Sequence, residues 1–336
     1  MEAMDPITQG LLGASLTQSV SKKQHVIVGG IIGFLSGMAP DLDVLIRSSS
    51  DPLLFLEYHR QFTHSLLFIP IGSLLCALVL HPIIGKRWRL TFKQSSLFCL
   101  LGFGTHALLD ACTSYGTQLL WPLSDERYAW NLVSVIDPLF TFLLLCLVFT
   151  ASLKRTPWVA RVALIWAVAY PSLALIQRER AESAAWLLAQ QRQHQPVRLF
   201  AKPSFGNIVV WKSVYETTEA FYVDAIRAGR STRIYEGEFV PKLNIEQDFI
   251  WLAKYSQQAK DVTRFGRFSN GYLAQDKSDP MAIFDVRYSM MPNQIEPMWS
   301  IQLSKQRASK EHVKYVTHRK NSKESREQML NMLLDK

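Results

Sequence analysis

Six apolar runs dominate the first 176 residues, at roughly 6–20, 26–46, 65–85, 95–113, 138–153 and 158–176. Crossing the hydrocarbon core of a bilayer takes about 20 residues of helix. The third, fourth and sixth runs meet that length. The first and fifth are short, which leaves tilt, partial insertion or re-entry open for them. Asp5-Pro6 and Asp137-Pro138 each set a capping carboxylate before a proline at the first helical position, and Thr63 stands where it can cap a helix beginning near His64. The mean hydropathy of +0.04 would suit a soluble protein. That average hides a split between this apolar half and an ordinary mixed sequence beyond Ile176.

The chain carries a formal charge of +9, but its distribution argues against nucleic acid as a partner. In the first half the basic residues sit in short turns between apolar runs. Lys22 and Lys23 separate the first two, Lys86, Arg87, Arg89 and Lys93 the third and fourth, and Lys154, Arg155 and Arg161 the last pair. If all six runs cross, these turns share one side, which the positive-inside rule makes cytoplasmic. The N-terminus, the 47–64 and 114–137 loops and the whole tail then face the periplasm of a bacterial inner membrane. Asp5 before the first run and Lys22–Lys23 after it do not form a signal-peptide pattern.

The tail reads differently. Residues 177–195 have helical character and suit a stalk, and after Pro196 come runs rich in β-branched and aromatic residues. These are Val197–Phe200, Ile208–Tyr215, Phe221–Ile226, Ile234–Tyr235, Ile283–Tyr288 and Trp299–Leu303. From Lys305 onward the sequence is charged and suits a surface helix or a loose end. All four cysteines lie in or beside apolar runs, so no disulfide framework staples the tail. The expected fold class is an α-helical membrane bundle of about six apolar helices followed by a β-rich α+β extramembrane domain. Its expected parts are residues 1–176, a helical linker at 177–195, and an accessory domain at 196–336.

Seven ionisable residues gather at the ends of apolar runs: Asp41, Asp43, His59, His64, His106, Asp110 and Asp137, with Asp5 a weaker eighth. In the topology above all fall on the non-cytoplasmic side. His106 and Asp110 are the most informative, because an i,i+4 spacing stacks both on one face of a helix that is otherwise apolar and small. A charged group at mid-bilayer costs roughly 2.5–3.5 kcal/mol on insertion scales and therefore needs a partner or a cavity. A divalent metal suits neutral imidazole plus carboxylate, and the carboxylates counter its charge. Capping alone is an equal reading for Asp5 and Asp137. A structural ion-pair network would need basic partners, and only Arg47, Arg60 and Arg127 lie near in sequence.

Several motifs resemble those of the membrane-bound metal-dependent hydrolases of the YdjM type. They are Met4-Asp5-Pro6-Ile7-Thr8-Gln9, Pro40-Asp41-Leu42-Asp43, His59-Arg60-Gln61-Phe62-Thr63-His64-Ser65 and His106-Ala107-Leu108-Leu109-Asp110. The stretch from Thr113 to Pro122 and Ile136-Asp137-Pro138 extend the likeness, which covers residues 4–145. The Asp…His…His-x-x-x-Asp order is also similar to that of the zinc phospholipase C and P1 nuclease group. The resemblance implies Asp43, His59 or His64, His106 and Asp110 as metal ligands. Many relatives carry histidine in the first run where this chain has Gln9. An amide oxygen is a poorer zinc ligand than imidazole, which weighs against a full cluster of zinc ions.

The function expected is metal-dependent hydrolysis of a phosphoester or other lipid-associated ester at the periplasmic membrane surface. Zinc is favoured, with manganese or magnesium as alternatives, and the metal would activate a bound water. Asp41 or Asp137 is placed as general base or as a carboxylate that fixes a histidine tautomer. Arg60 could hold a phosphate oxygen or anchor a lipid headgroup. Two rival classes remain: an ion or proton transporter, and a non-catalytic metal-stabilised scaffold. The transporter would want charges at mid-membrane and along a pathway rather than at one face.

Overall fold

The computed structural model describes residues 5–318 and 323–335, so Met4 and residues 319–322, at the charged C-terminal end, lie outside the described residues. In chain order the first elements are α1 (Pro6–Val20), α2 (Val26–Met38), a 3-10 stretch at Ala39–Leu45, and α3 (Leu54–Tyr58). There follow α4 (Ile69–Leu80), α5 (Phe92–Ala111), α6 (Pro138–Lys154) and α7 (Pro157–Gln191). The chain divides into two compact units. The first holds the chain up to Leu45, Tyr58–Ile176 and Phe205–Ile208; the second holds Ile46–Glu57, Gln177–Ser204 and Val209 onward.

Part of each apolar run of the first unit is helical. Among the described residues three stretches are long and apolar enough to cross a membrane, Lys23–Leu45, Ile69–Trp88 and Pro157–Gln191; the fourth run, on α5, is not one of them. Pro138–Lys154 is apolar but shorter. The hydropathy difference follows burial. On α4, Ile71, Leu74, Leu75, Leu78 and Val79 are exposed, as are Leu139, Phe142, Phe149 and Leu153 on α6, and such side chains suit lipid. By contrast α1 buries Thr8, Gln9, Ser15, Thr17 and Gln18 against α2, α5 and α6. Protein, not lipid, surrounds those polar groups.

Close approach of α1, α2 and α5 depends on glycine. A Cβ on Gly33 would stand 2.2 Å from Thr17 Oγ1 and 2.6 Å from the Gly13 carbonyl oxygen. One on Gly102 would meet Ser36 Oγ at 2.2 Å and the Gly33 carbonyl oxygen at 2.5 Å. Small residues at such crossings let backbones pack directly, the usual means of helix association in lipid. The helix starts are capped as the sequence suggests: Asp5 Oδ1 accepts from Ile7 N at 3.1 Å, and Asp137 Oδ1 from Phe140 N at 3.2 Å. At the start of α5, Thr91 and Gln94 form a reciprocal capping box.

The second unit is built on two four-stranded antiparallel meanders. One runs β1 (Arg198–Pro203), β2 (Val210–Glu216), β3 (Ala220–Ala228), β4 (Thr232–Pro241); the other runs β5 (Leu273–Gln275), β6 (Ala282–Asp285), β7 (Trp299–Gln302), β8 (Lys314–Thr317). Between the meanders lie α8 (Ile245–Asp248) and α9 (Gln257–Phe268), and α10 (Lys323–Leu334) follows the last strand. Val214, Phe221, Val223 and Val240 from the first sheet share a core with Ala274, Phe284 and Val286 from the second. The six strand runs of the sequence fall on or beside β1, β2, β3, β4, β6 and β7. β5 and β8 are too short to stand out, and α9 was hidden among polar residues. Ser256 caps α9, whose Val262, Phe265 and Phe268 turn inward at helical spacing.

Candidate metal centre

Two short segments and one helix supply the site. Pro40 lies within the 3-10 stretch that follows α2 and puts Asp41 and Asp43 on a tight turn. His59 and Arg60 follow α3, and His64 closes a second 3-10 turn at Phe62–His64. His106 and Asp110 project from the last turns of α5. Six of the seven residues expected from the sequence therefore meet, and all six are buried.

Four of them converge atom to atom. His64 Nε2 lies 2.9 Å from His106 Nε2, 3.1 Å from Asp110 Oδ2 and 3.5 Å from Asp41 Oδ1. His106 Nε2 stands 3.4 Å from Asp41 Oδ1 and 3.8 Å from Asp110 Oδ2. Tetrahedral bonds of about 2.0–2.1 Å imply ligand–ligand edges near 3.3 Å, and these separations scatter around that value. Asp41, His64, His106 and Asp110 are thus a group that could hold a metal ion.

The surrounding bonds fix which ring nitrogens are available. His106 Nδ1 faces the Gly37 carbonyl oxygen at 2.6 Å, an acceptor only, so that nitrogen carries the proton. Thr63 Oγ1 donates to Asp43 Oδ2 at 2.8 Å and lies 2.9 Å from His64 Nδ1, which leaves the hydroxyl to accept from that nitrogen. Both Nε2 atoms then present lone pairs to each other at 2.9 Å. Two lone pairs at that distance repel unless a cation lies with them. Both Asp41 oxygens and Asp110 Oδ2 are buried without a hydrogen bond, and such groups are costly unless charge meets them. One proton could bridge the two imidazoles, but together with Arg60, whose Nε lies 3.1 Å from Asp110 Oδ2, it would still leave one of the carboxylates Asp41, Asp43 and Asp110 uncompensated.

Asp43 behaves differently from Asp41. Its Oδ1 lies 2.7 Å from His59 Nδ1, while Oδ2 accepts from Arg60 N at 3.0 Å and from Thr63, and sits 3.2 Å from His64 Nδ1. Asp41, Asp43 and His59 form a second group of potential donors, but both Asp43 oxygens are already engaged. Its bonding is that of a carboxylate that orients imidazoles. Asp137 stands outside the cluster: beyond its cap, Oδ2 accepts from Tyr170 Oη at 2.7 Å. Asp5 is likewise occupied at the start of α1, where Thr8 Oγ1 donates to its Oδ2 at 2.9 Å.

Arg60 is 1% exposed, so its guanidinium lies inside the protein and not at a headgroup surface. Nε is 3.1 Å from Asp110 Oδ2, and Nη1 donates to Thr113 Oγ1 at 2.8 Å. Its φ of 61° is left-handed, an uncommon conformation for a residue with a Cβ and one that tends to occur at functional sites. The Gln118 amide donates to the Arg60 carbonyl at 3.0 Å and helps to hold that conformation. Thr63, a helix cap by its sequence context, and Thr113 and Gly37, which carry no sequence signal of a role, all bond to residues of the cluster. Gln9, which stands where many relatives carry histidine, donates from its Nε2 to Asp110 Oδ1 at 2.7 Å. The amide leaves Asp110 Oδ2 as the oxygen directed at the cluster.

Comparison with known proteins agrees with these motifs. "Inner membrane protein YbcI" of Escherichia coli (strain K12) is 37% identical over 108 residues, which is 31% of this chain and 60% of that protein. The chain thus spans less than two thirds of that relative's length. No solved structure matches. The family model described as "YdjM inner membrane protein" matches residues 4–181, more than half of the sequence and every residue of the cluster, so the chain belongs to the YdjM inner membrane protein family.

Proposed function

We propose that this inner membrane protein binds one divalent metal ion through Asp41, His64, His106 and Asp110 and uses it to hydrolyse a phosphoester or lipid-linked ester at the periplasmic face. The observation that carries the reading is the close approach of the two Nε2 atoms, 2.9 Å apart, beside buried carboxylate oxygens that have no hydrogen bond. Three carboxylates, Asp41, Asp43 and Asp110, share the site with one fixed cation, Arg60, so a divalent ion balances the charge. A bound ion of this kind supplies Lewis acidity and lowers the pKa of a bound water. Asp43 orients His59 and His64, and Arg60 offers a buried cation beside Asp110 for a phosphate oxygen. Zinc fits the two imidazoles and the tetrahedral spacing; manganese or magnesium would keep further positions open for water.

Six crossings by α1, α2, α4, α5, α6 and α7 are part of the same reading. The basic turns then lie in the cytoplasm, and the metal centre and C-terminal unit in the periplasm. A second reading, a metal-stabilised scaffold without catalysis, draws on one observation. Four protein donors in a buried site resemble a closed structural centre more than an open catalytic one. Asp41, with 8% of its side chain exposed, is the least enclosed of the four.

The test is metal content by mass spectrometry of detergent-purified protein, wild type against the double variant His64→Ala, His106→Ala. It is followed by a phosphodiester and phospholipid hydrolysis screen with and without added metal. One equivalent of metal lost in the variant, with metal-dependent turnover, supports the hydrolase. Bound metal without turnover on any ester moves the scaffold ahead, and a folded wild type that takes up no metal refutes both.

A further inference from the structure

The segment between Asp43 and His59 belongs structurally to the C-terminal unit. Ile46–Glu57 clusters with Gln177–Ser204 and Val209 onward, although both of its ends run directly into residues of the metal centre. One side chain makes several of the polar contacts of this attachment. Arg264 on α9 forms a bidentate pair with Asp51, Nη1 to Oδ1 at 3.0 Å and Nη2 to Oδ2 at 2.8 Å, while its Nε donates to Glu57 Oε1 at 2.6 Å.

The guanidinium is itself fixed from behind. Nη1 also donates to Asp261 Oδ1 at 2.9 Å, and Asp261 is fully buried. Gln257 Nε2 at 3.0 Å, the Val313 amide at 3.0 Å and His312 Nδ1 at 2.9 Å hold that carboxylate in turn. Phe55 adds an edge-on contact with Tyr315, ring centres 5.3 Å apart. Within the segment, Asp51 Oδ1 also accepts from Leu53 N at 3.0 Å and so fixes the turn that starts α3.

We propose that Arg264 is a positioning residue for the metal centre, holding the 46–57 segment so that Asp41, Asp43, His59 and His64 keep their places. A planar fork that satisfies one carboxylate in the middle of the segment and another at its C-terminal end fixes the chain between them, which a single-point contact would not. Asp51 lies eight residues beyond Asp43, and Glu57 two residues before His59. Loosening them frees both strands of chain that enter the cluster. The link from Arg264 to the donors is the chain itself, which runs from the held segment into Asp43 on one side and His59 on the other. The affinity part of this assignment rests on the metal reading; the positioning part does not.

The experiment uses the full chain in detergent or nanodiscs, as wild type, Arg264→Ala, Arg264→Lys and the loop-side pair Asp51→Asn, Glu57→Gln. Hydrogen exchange is followed across residues 39–64, and metal affinity by competition with a chelator. Both Arg264→Ala and the loop-side pair are expected to lose protection at 39–45 and 58–64. Metal affinity should fall about tenfold, the lower end of the usual cost of removing a supporting contact. Arg264→Lys, which keeps the charge without the fork, should restore protection only in part. Protection retained over β1 to β4 shows that the C-terminal unit is still folded, and the loop-side pair leaves every residue beyond Ile176 untouched. Unchanged protection at 39–64 in both Arg264→Ala and the loop-side pair would overturn the proposal. Protection lost at 39–64 in the variants, when the wild type itself binds no metal, would sink the metal reading and leave the positioning role in place.

Discussion

Replacing Asp43 by asparagine separates two accounts of the metal centre. The family resemblance implies Asp43 as a ligand, whereas the geometry gives it a supporting role. Its two oxygens receive His59 Nδ1 at 2.7 Å, Arg60 N at 3.0 Å and Thr63 Oγ1 at 2.8 Å, with His64 Nδ1 at 3.2 Å. Asparagine keeps the shape but turns one acceptor into a donor. If the amide nitrogen faces His59, that N–H loses its partner; if it faces the other way, Thr63 and the Arg60 amide lose theirs. Supporting contacts of this type typically cost 10–100-fold in metal affinity, or roughly 1.4–2.7 kcal/mol at 1.36 kcal/mol per decade. Asp43→Asn should therefore bind one equivalent of metal 10–100-fold more weakly, with unchanged stoichiometry, in a competition titration against a chromogenic chelator. His106→Ala should abolish binding in the same assay. A complete loss of metal in Asp43→Asn, with Asp41→Asn still loaded, would refute the structural assignment and restore Asp43 as the ligand.

The remaining predictions concern stability. Chelation should lower the thermal midpoint of wild type but not of His64→Ala, His106→Ala, and a ligand at 100 times its Kd is worth about 2.7 kcal/mol; equal midpoints with and without chelator would contradict a bound ion. Gly33→Ala should destabilise the helical unit by about 1–3 kcal/mol, because its Cβ meets Thr17 and the Gly13 carbonyl, and an unshifted denaturation midpoint would refute that close approach. In the C-terminal unit, burial pushes the Lys212 ammonium down to about 7, although Asp285 and Glu238 oppose the shift. Its folded pKa lies below the unfolded 10.5, so the unfolded chain binds more protons and stability should rise as pH climbs from about 7 toward 10.5. Lys212→Met should flatten that rise in pH-dependent denaturation; a slope equal to wild type would show that Lys212 is not its source.

Legibility varied with the kind of physics involved. Local signals carried far: prolines preceded by aspartate marked the starts of α1 and α6, and i,i+4 spacing put His106 and Asp110 on one face. Charged and imidazole groups at the ends of apolar runs pointed to a cluster, because each isolated group would be costly there. Which carboxylate faces the cluster centre was not readable, since Asp41 and Asp43 are two residues apart on a turn whose geometry is tertiary. Asp137 illustrates the converse. Its sequence context fits a cap and a site equally, and only the bonds to Phe140 and Tyr170 show where its oxygens go. In the tail, β5 and β8 have three and four residues, too short for a periodic pattern, and they depend on neighbouring strands for their definition.

The polar character of α1 links these observations. A helix with Thr8, Gln9, Ser15, Thr17 and Gln18 buried is too polar to face lipid, so the apolar helices must surround it. Its burial brings α2 and α5 close, because glycines at 13, 33 and 102 leave no side chain between the backbones. The same proximity lets the Gly37 carbonyl of α2 reach His106 Nδ1 on α5 at 2.6 Å, and lets Gln9 of α1 reach Asp110 at 2.7 Å. Those two bonds select the tautomer of one candidate ligand and the exposed oxygen of another. The donor set is therefore as dependent on glycines with no chemistry of their own as on its histidines, and widening the α2–α5 crossing would disarm the centre while leaving all four donors in the sequence.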